Sequence, residues 1–160
     1  MKLTLHAVGR MKSGPDQELF TRYWDRLEKT GRSVGLGPAI MKELAESRAV
    51  RPADRMADEA QALLKTISTK AHVIVLDERG KHLSSENFAK RIATVRDGGA
   101  EEIAFIIGGA DGLDQSVRDR ADTLIAFGAM TWPHQIVRIL AAEQIYRAIT
   151  ILSGHPYHKS

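Results

Sequence analysis

The sequence predicts an α/β fold with a mainly parallel sheet. Short apolar runs at Lys2–Gly9, His72–Asp77 and Ile103–Ile107 alternate with longer segments whose apolar residues recur every three or four positions. The run at Ile103–Ile107 is wholly apolar, as is typical of a strand that helices cover on both faces. Strands that alternate with helices favour a parallel sheet. The chain of 160 residues shows no internal repeat or linker, so we expect a single domain over residues 1–160.

The N-terminal part predicts a strand, a helix and a second strand. Lys2–Gly9 alternates as a strand does, and Pro15–Lys29 carries one apolar stripe after a proline suited to a first helical turn. Thr30–Pro38 is rich in glycine and serine and predicts a loop, with a short strand near Val34–Met41. The charged stretch from Lys42 to Asp58 is expected to be exposed and mobile.

The middle of the chain predicts further alternation of helices and strands. Ser84 and Ser85 are suited to cap the N-terminus of a helix that stops at Gly98. The predicted elements are, in order, a helix at Pro52–Ser68, a strand at His72–Asp77, a turn at Glu78–Lys81, the capped helix, a strand at Ile103–Ile107 and a short helix at Gln115–Asp122.

Two segments in the second half are expected to form one pocket. The stretch Leu124–Arg147 predicts a strand, a loop with Gly128 and Pro133, and a helix with apolar residues at helical spacing. The second segment, Gly108–Gly112, follows a buried strand and has three glycines in five residues. Glycines remove side chains where a ligand or another backbone comes close. A small-ligand site and a purely structural turn both fit this loop.

Composition excludes several classes of protein. No apolar run approaches the roughly 20 residues that cross a bilayer, and the N-terminus lacks a signal-type apolar core. With no cysteine, the chain has no disulfide, thiolate metal site or cysteine nucleophile. A cytoplasmic location fits these features. The net charge of +3 permits a polyanionic partner, although a scattered solvated surface explains it as well.

Common catalytic motifs are absent from the sequence. The glycine loop lies too late and has the wrong spacing for a dinucleotide fingerprint, and no Walker-type lysine follows it. His155 and His158 have no third ligand at a recognisable spacing, so no metal is predicted. Asp77 and Asp111 end strand-like segments, where both catalytic acids and turn-forming residues occur. Glu143 and Arg147 have the spacing of a helical ion pair.

Four segments together resemble a known family. They are VLDERGK at Val75–Lys81, IIGGADGL at Ile106–Leu113, TWPHQIVRILAAEQIYRA at Thr131–Ala148 and HPYHK at His155–Lys159. In this combination the sequence resembles the RlmH (YbeA-type) family of SPOUT ribosomal RNA methyltransferases, and the N-terminal KLTLHAVG also fits. The resemblance covers essentially the whole chain, with departures at Gly35–Pro38 and in the charged stretch that follows.

The resemblance implies a SPOUT-type α/β knot, in which a C-terminal trefoil knot holds S-adenosylmethionine. It also implies a homodimer that methylates N3 of a pseudouridine in 23S ribosomal RNA, within the ribosome or large subunit. The apolar helix Ile136–Leu152 is the segment we expect in part at the dimer interface. The residues that the resemblance assigns to the cofactor are Leu76, Gly108, Phe127, Gly128, Ala129, Met130, Thr131 and Trp132.

No side chain is clearly marked as catalytic. The N3 atom of a uracil-type ring is a weak acid, so a base or a stabilising cation would assist its methylation. The candidates are His134, Arg138, Tyr157 and His158. Two alternatives remain open at this point: a SPOUT enzyme that acts on transfer RNA, and a nucleotide-binding module without catalysis.

Overall fold

A five-stranded parallel sheet lies at the centre of the computed structural model, which describes residues 1–159. The strand order is β2-β1-β4-β3-β5, and every neighbouring pair is parallel. The predicted α/β class is therefore confirmed. The elements are β1 (Lys2–Val8), α1 (Pro15–Gly31), a 3₁₀ turn (Arg32–Val34), β2 (Ala39–Leu44), α2 (Pro52–Thr66), β3 (His72–His82), α3 (Ser85–Asp97), β4 (Glu102–Ile107), α4 (Gln115–Arg120), β5 (Thr123–Ala126) and α5 (His134–Ser153).

Helices cover both faces of the sheet. The side chains of β4 alternate between them: Ile103 and Phe105 pack in the core with α1, α3 and α5, whereas Ala104 and Ile106 pack in the core with α2 and α4. All six residues of β4 are buried, as the wholly apolar run predicts. This burial on both faces leaves the carboxyl edge of the sheet as the place where loops can form a ligand site.

Most predicted elements are confirmed, with ends that differ by one or two residues. The strand predicted near Val34–Met41 instead begins at Ala39, because residues 32–34 form the 3₁₀ turn. The expectation that Lys42–Asp58 is an exposed and mobile stretch is wrong at both ends. Residues 42–44 belong to the edge strand β2, which pairs with β1, and α2 already begins at Pro52. Only residues 45–51 form a connecting loop. The predicted helix cap at Ser84 is confirmed, since its Oγ accepts a hydrogen bond from the Asn87 amide at 3.2 Å.

The predicted turn at Glu78–Lys81 is also wrong, because β3 continues to His82. Leu76 and Lys81 both lie opposite Ile125 of β5, so residues 77–80 form a bulge between two paired segments. A bulge leaves extra residues unpaired and redirects the strand. Here it carries the chain across the carboxyl edge of the sheet.

Gly80 allows this bulge to lie directly against β5. A Cβ atom at Gly80 would lie 2.4 Å from the carbonyl carbon of Ile125 and 2.6 Å from its Cα. Both neighbours are backbone atoms, which have no other rotamer to adopt. The close approach of the two strands therefore requires glycine at this position.

We predict that Gly80→Ala lowers the free energy of unfolding by about 3 kcal/mol, because the added methyl group overlaps the Ile125 backbone. Urea unfolding followed by circular dichroism measures the change. Gly99→Ala is the matched control: its φ is +83° and no other atom lies within 4 Å of the added Cβ. This control should lose only about 1 kcal/mol, from backbone conformation alone. Equal losses in the two variants would contradict the close approach.

Candidate functional site

A cleft with a volume of about 280 Å³ lies at the carboxyl ends of β3, β4 and β5. It brings together the two segments from which the sequence predicts one pocket. Of the residues that the family resemblance assigns to a cofactor, those that line the cleft are Leu76, Gly108, Phe127, Gly128, Met130, Thr131 and Trp132. Ala129 lies in the same loop but does not line the cleft. Three strands that are distant in sequence thus end at one site.

Apolar side chains form part of the cleft wall. Ile107, Ile125 and Ala126 are buried at the ends of β4 and β5, and Val137 reaches the cleft from α5. Ile125, Ala126 and Val137 belong to the stretch Leu124–Arg147 that the sequence predicts at the pocket, whereas Ile107 is predicted only as part of a buried strand. A small-molecule site is commonly lined by apolar side chains with a few polar groups that fix orientation.

Contacts within this chain explain why the loop contains glycines. A Cβ atom at Gly108 would lie 2.8 Å from Cγ of Leu113, and one at Gly109 would lie 3.0 Å from Oε2 of Glu59. Gly112 has a φ of +90° and donates its N–H to the Gly109 carbonyl at 3.1 Å. The space that the first two glycines leave is therefore filled by this chain itself.

The Arg55–Asp111 ion pair anchors the glycine loop. The Arg55 guanidinium donates to both carboxylate oxygens of Asp111, at 2.7 and 3.1 Å, and also to the carbonyls of Ala49 and Val50. This hydrogen bonding holds the pKa of Asp111 below its usual value. The pair joins α2 and the loop before it to the rim of the cleft. Nothing in the sequence marks these partners, which lie 56 residues apart.

A second ion pair, Arg118–Asp77, anchors the bulge of β3. Arg118 donates to Oδ2 of Asp77 at 2.8 and 3.0 Å and to the Leu113 carbonyl at 2.6 Å. The other carboxylate oxygen of Asp77 accepts from the Arg79 amide at 2.9 Å, which is a turn contact. Asp77 and Asp111 are both bound to arginines, so neither is a free acid in the cleft.

The loop 127–133 closes on itself. Nε1 of Trp132 donates to the Phe127 carbonyl at 3.0 Å. Gly128 has a φ of +96°, in the region that favours glycine. The side chains of Met130 and Trp132 remain 75% and 43% exposed. The loop therefore has a defined shape but presents apolar groups to solvent beside the cleft.

His134 is the one catalytic candidate that lines the cleft in the described chain. It is the first residue of α5, directly after Pro133. Its Nε2 lies 3.2 Å from the side-chain Nε2 of Gln135, and it accepts a hydrogen bond there in the tautomer that carries its proton on Nδ1. An imidazole at this position can accept or donate a proton through a ring nitrogen.

Arg138, a catalytic candidate from the sequence, lies inside the protein and not at the cleft. Its side chain is fully buried, and the guanidinium donates to Glu43 at 3.0 Å, to the Gly9 carbonyl at 2.8 Å and to the Val8 carbonyl. Burial lowers its pKa, while Glu43 opposes this effect. These contacts argue against Arg138 as a catalytic cation, because its donors are directed into the protein and not into the cleft.

The C-terminal tail packs on its own chain. The Tyr157 ring lies 4.8 Å from the ring of Tyr146, and its hydroxyl donates to Glu143 at 3.0 Å. Burial and the Glu143 carboxylate raise the pKa of Tyr157. Nε2 of His158 lies 2.8 Å from Oε1 of Glu86. Neither Tyr157 nor His158 lines the cleft of its own chain.

The predicted ion pair between Glu143 and Arg147 is confirmed, with Nη2 and Oε1 2.5 Å apart. Among residues 1–159, no group of three or more histidine and carboxylate side chains is placed to hold a metal ion. No helix in this part of the chain is long and apolar enough to cross a membrane.

Comparisons with known proteins agree with the fold. A family model described as "Predicted SPOUT methyltransferase" matches residues 1–158. Over 160 residues, 100% of both chains, the sequence is 56% identical to the "Ribosomal RNA large subunit methyltransferase H" of Xanthobacter autotrophicus. Proteins of the same name from Rhizobium leguminosarum bv. trifolii and Mesorhizobium japonicum are 55% and 51% identical, over 99% and 100% of each chain.

The sheet and its cleft define an α/β protein of the class that binds small molecules at the carboxyl edge of the strands. Within this class, the chain belongs to the SPOUT methyltransferase family. Members of this family are methyltransferases, so the cleft lies in a protein that transfers a methyl group from a donor.

We predict that Arg138→Ala lowers the free energy of unfolding by about 3–5 kcal/mol, since it leaves the partners of a buried charge unpaired. Chemical unfolding measures the loss. Arg48→Ala removes an exposed arginine and should change stability by less than about 0.5 kcal/mol. An Arg138→Ala protein that is as stable as the control, and that has lost only methyl transfer, would contradict the structural role and favour Arg138 as a catalytic residue.

Proposed function

We propose that this protein transfers the methyl group of S-adenosylmethionine to N3 of a pseudouridine in 23S ribosomal RNA. The observation that carries the proposal is that the segments resembling the family's cofactor motifs come from three strand ends and line one cleft. Full-length relatives named for large-subunit ribosomal RNA support the same substrate class.

The cleft fits the chemistry of S-adenosylmethionine. Leu76, Ile125 and Val137 offer apolar surface for an adenine ring. The loop 127–132 offers main-chain N–H and C=O groups for its polar edge. When bound, the cofactor supplies an electrophilic methyl group on a sulfonium, so the reaction needs no metal. The residues of the cleft contribute orientation, which places the acceptor nitrogen in line with the methyl carbon.

His134 is the side chain best placed to receive the N3 proton. It lines the cleft, and the contact of its Nε2 with Gln135 holds the orientation of the ring. An imidazole that contacts a substrate can act as the general base in such a proton transfer. We therefore favour His134 over Arg138, which is buried, and over Tyr157 and His158, which lie away from the cleft of their own chain.

The position of Tyr157 and His158 is relevant to whether the protein forms a dimer. If Tyr157 or His158 acts on the RNA at a cleft, that cleft belongs to a second copy of the chain. We propose a homodimer in which α5 lies at the interface, because Leu140, Ile151 and Leu152 of this helix are apolar and only half-buried in the single chain. The family also implies that the C-terminal segment forms a trefoil knot. An enzyme that modifies ribosomes is expected in the cytoplasm.

Mass spectrometry of ribosomal RNA tests the proposed function. Ribosomal RNA from a strain that lacks the gene should contain an unmethylated pseudouridine in 23S RNA, and expression of the intact protein should restore the N3-methyl group. The transfer RNA of both strains serves as the control. A mass change in transfer RNA alone would favour a different SPOUT substrate, and no change in either RNA would overturn the proposal.

We predict that Trp132→Phe weakens S-adenosylmethionine binding about fivefold, because the variant keeps an aromatic ring but loses the hydrogen bond to the Phe127 carbonyl that closes the loop. Isothermal titration calorimetry measures the affinity. Val50→Ala changes an exposed apolar side chain outside the cleft and should bind with unchanged affinity. An equal effect in the two variants would mean that loop closure does not support the site.

We predict that deletion of residues 157–160 leaves S-adenosylmethionine affinity within about twofold but abolishes methylation of ribosomal RNA, because Tyr157 and His158 lie outside the cleft of their own chain. Both quantities are measured on the same truncated protein. Tyr157→Phe loses only the hydroxyl contact with Glu143. The methylation rate of this variant shows how much of the tail's effect depends on that contact. If affinity and methylation fall together, or if neither falls, the substrate-side role of the tail is wrong.

A further inference from the structure

Glu78 is the one carboxylate lining the cleft that has no partner within residues 1–159. The other two acidic side chains there are neutralised, Asp77 by Arg118 and Asp111 by Arg55. Glu78 lies in the bulge of β3, is exposed to solvent, and makes no hydrogen bond or ion pair with any described residue. The cleft therefore contains one unneutralised negative charge, at a position that sequence analysis assigns to an ordinary turn.

The methyl donor and its product differ in charge. S-adenosylmethionine has a sulfonium cation, whereas S-adenosylhomocysteine has a neutral thioether and the same ammonium and carboxylate groups. In the transfer, the N3 lone pair forms the new N–C bond and the S–C bond pair stays on sulfur. The N3 proton leaves to a base. The sulfonium charge is thus present before the reaction and absent after it.

We propose that Glu78 is a specificity-determining residue that favours the charged methyl donor over the neutral product. The inference rests on the proposed use of S-adenosylmethionine. A carboxylate at the rim attracts the sulfonium through the electric field, which is only partly screened near a protein surface. The same field gives the product no corresponding gain, so Glu78 favours exchange of product for fresh donor.

Loss of the Glu78 charge should change KM and kcat in different ways. A charge that stabilises the sulfonium stabilises the bound donor more than the transition state, in which the positive charge is already diminishing. Loss of the charge therefore raises the KM for S-adenosylmethionine and leaves kcat unchanged or slightly higher. A residue with only a structural role in the cleft would lower kcat and weaken the two ligands together.

Calorimetry on the intact protein tests the proposal with S-adenosylmethionine, S-adenosylhomocysteine and sinefungin, an analogue with an ammonium in place of the sulfonium. In Glu78→Gln, we expect affinity for S-adenosylmethionine to fall roughly fivefold and affinity for sinefungin to fall similarly. Affinity for S-adenosylhomocysteine should change less than about twofold, and the difference should shrink at high salt.

Glu101→Gln is the matched control. It removes the same charge from an exposed residue directly before β4, at the opposite edge of the sheet, and should bind all three ligands as the unaltered protein does. Equal weakening of donor and product in Glu78→Gln would overturn the proposal, and so would unchanged affinity for both. An unaltered protein that binds neither ligand would instead overturn the proposed function, and this inference with it.

Discussion

The buried guanidinium of Arg138 is the interaction on which the arrangement of the site depends. It fixes the start of α5 to the carboxyl ends of β1 and β2, through two main-chain carbonyls and Glu43. The loop 127–133 runs between β5 and α5, so its two ends are held by the sheet and by this contact. An arginine suits the position because its planar donors bind several acceptors at once. The shape of the cleft thus depends on a residue that does not line it.

Contacts between distant segments hold the other walls of the cleft. The glycine loop is fixed by Arg55 and the bulge of β3 by Arg118, each through a carboxylate and one or more carbonyls. Gly80 then brings the bulge against the backbone of Ile125. These contacts place the ends of β3, β4 and β5 before any ligand is bound. A site built in this way needs little reorganisation on binding, which favours affinity.

The sequence predicts the features that depend on local patterns. A wholly apolar run marks β4, serine marks the cap of α3, and glycines after a buried strand mark the loop at the cleft. The assignment of residues 127–132 to the cofactor came from the family resemblance and not from periodicity. It remains a prediction, although most of these residues share the cleft.

The features that sequence analysis missed depend on tertiary contacts. The extension of β3 to His82 forms only because β5 offers a second pairing segment. Arg138 has the sequence context of many surface arginines on helices. His6 alternates in β1 as a solvent-facing residue would, yet α2 covers it, and burial lowers its pKa to about 4. No local pattern contains these partners.

Hydrogen exchange with and without S-adenosylmethionine tests most directly the central claim, that the carboxyl ends of β3, β4 and β5 form the methyl-donor site. The account predicts that saturating S-adenosylmethionine slows amide exchange in two segments, 108–113 and 127–133, and leaves the opposite edge of the sheet, including residues 98–101, unchanged. Protection that is absent from both segments, or that is strongest at the opposite edge, would contradict the account.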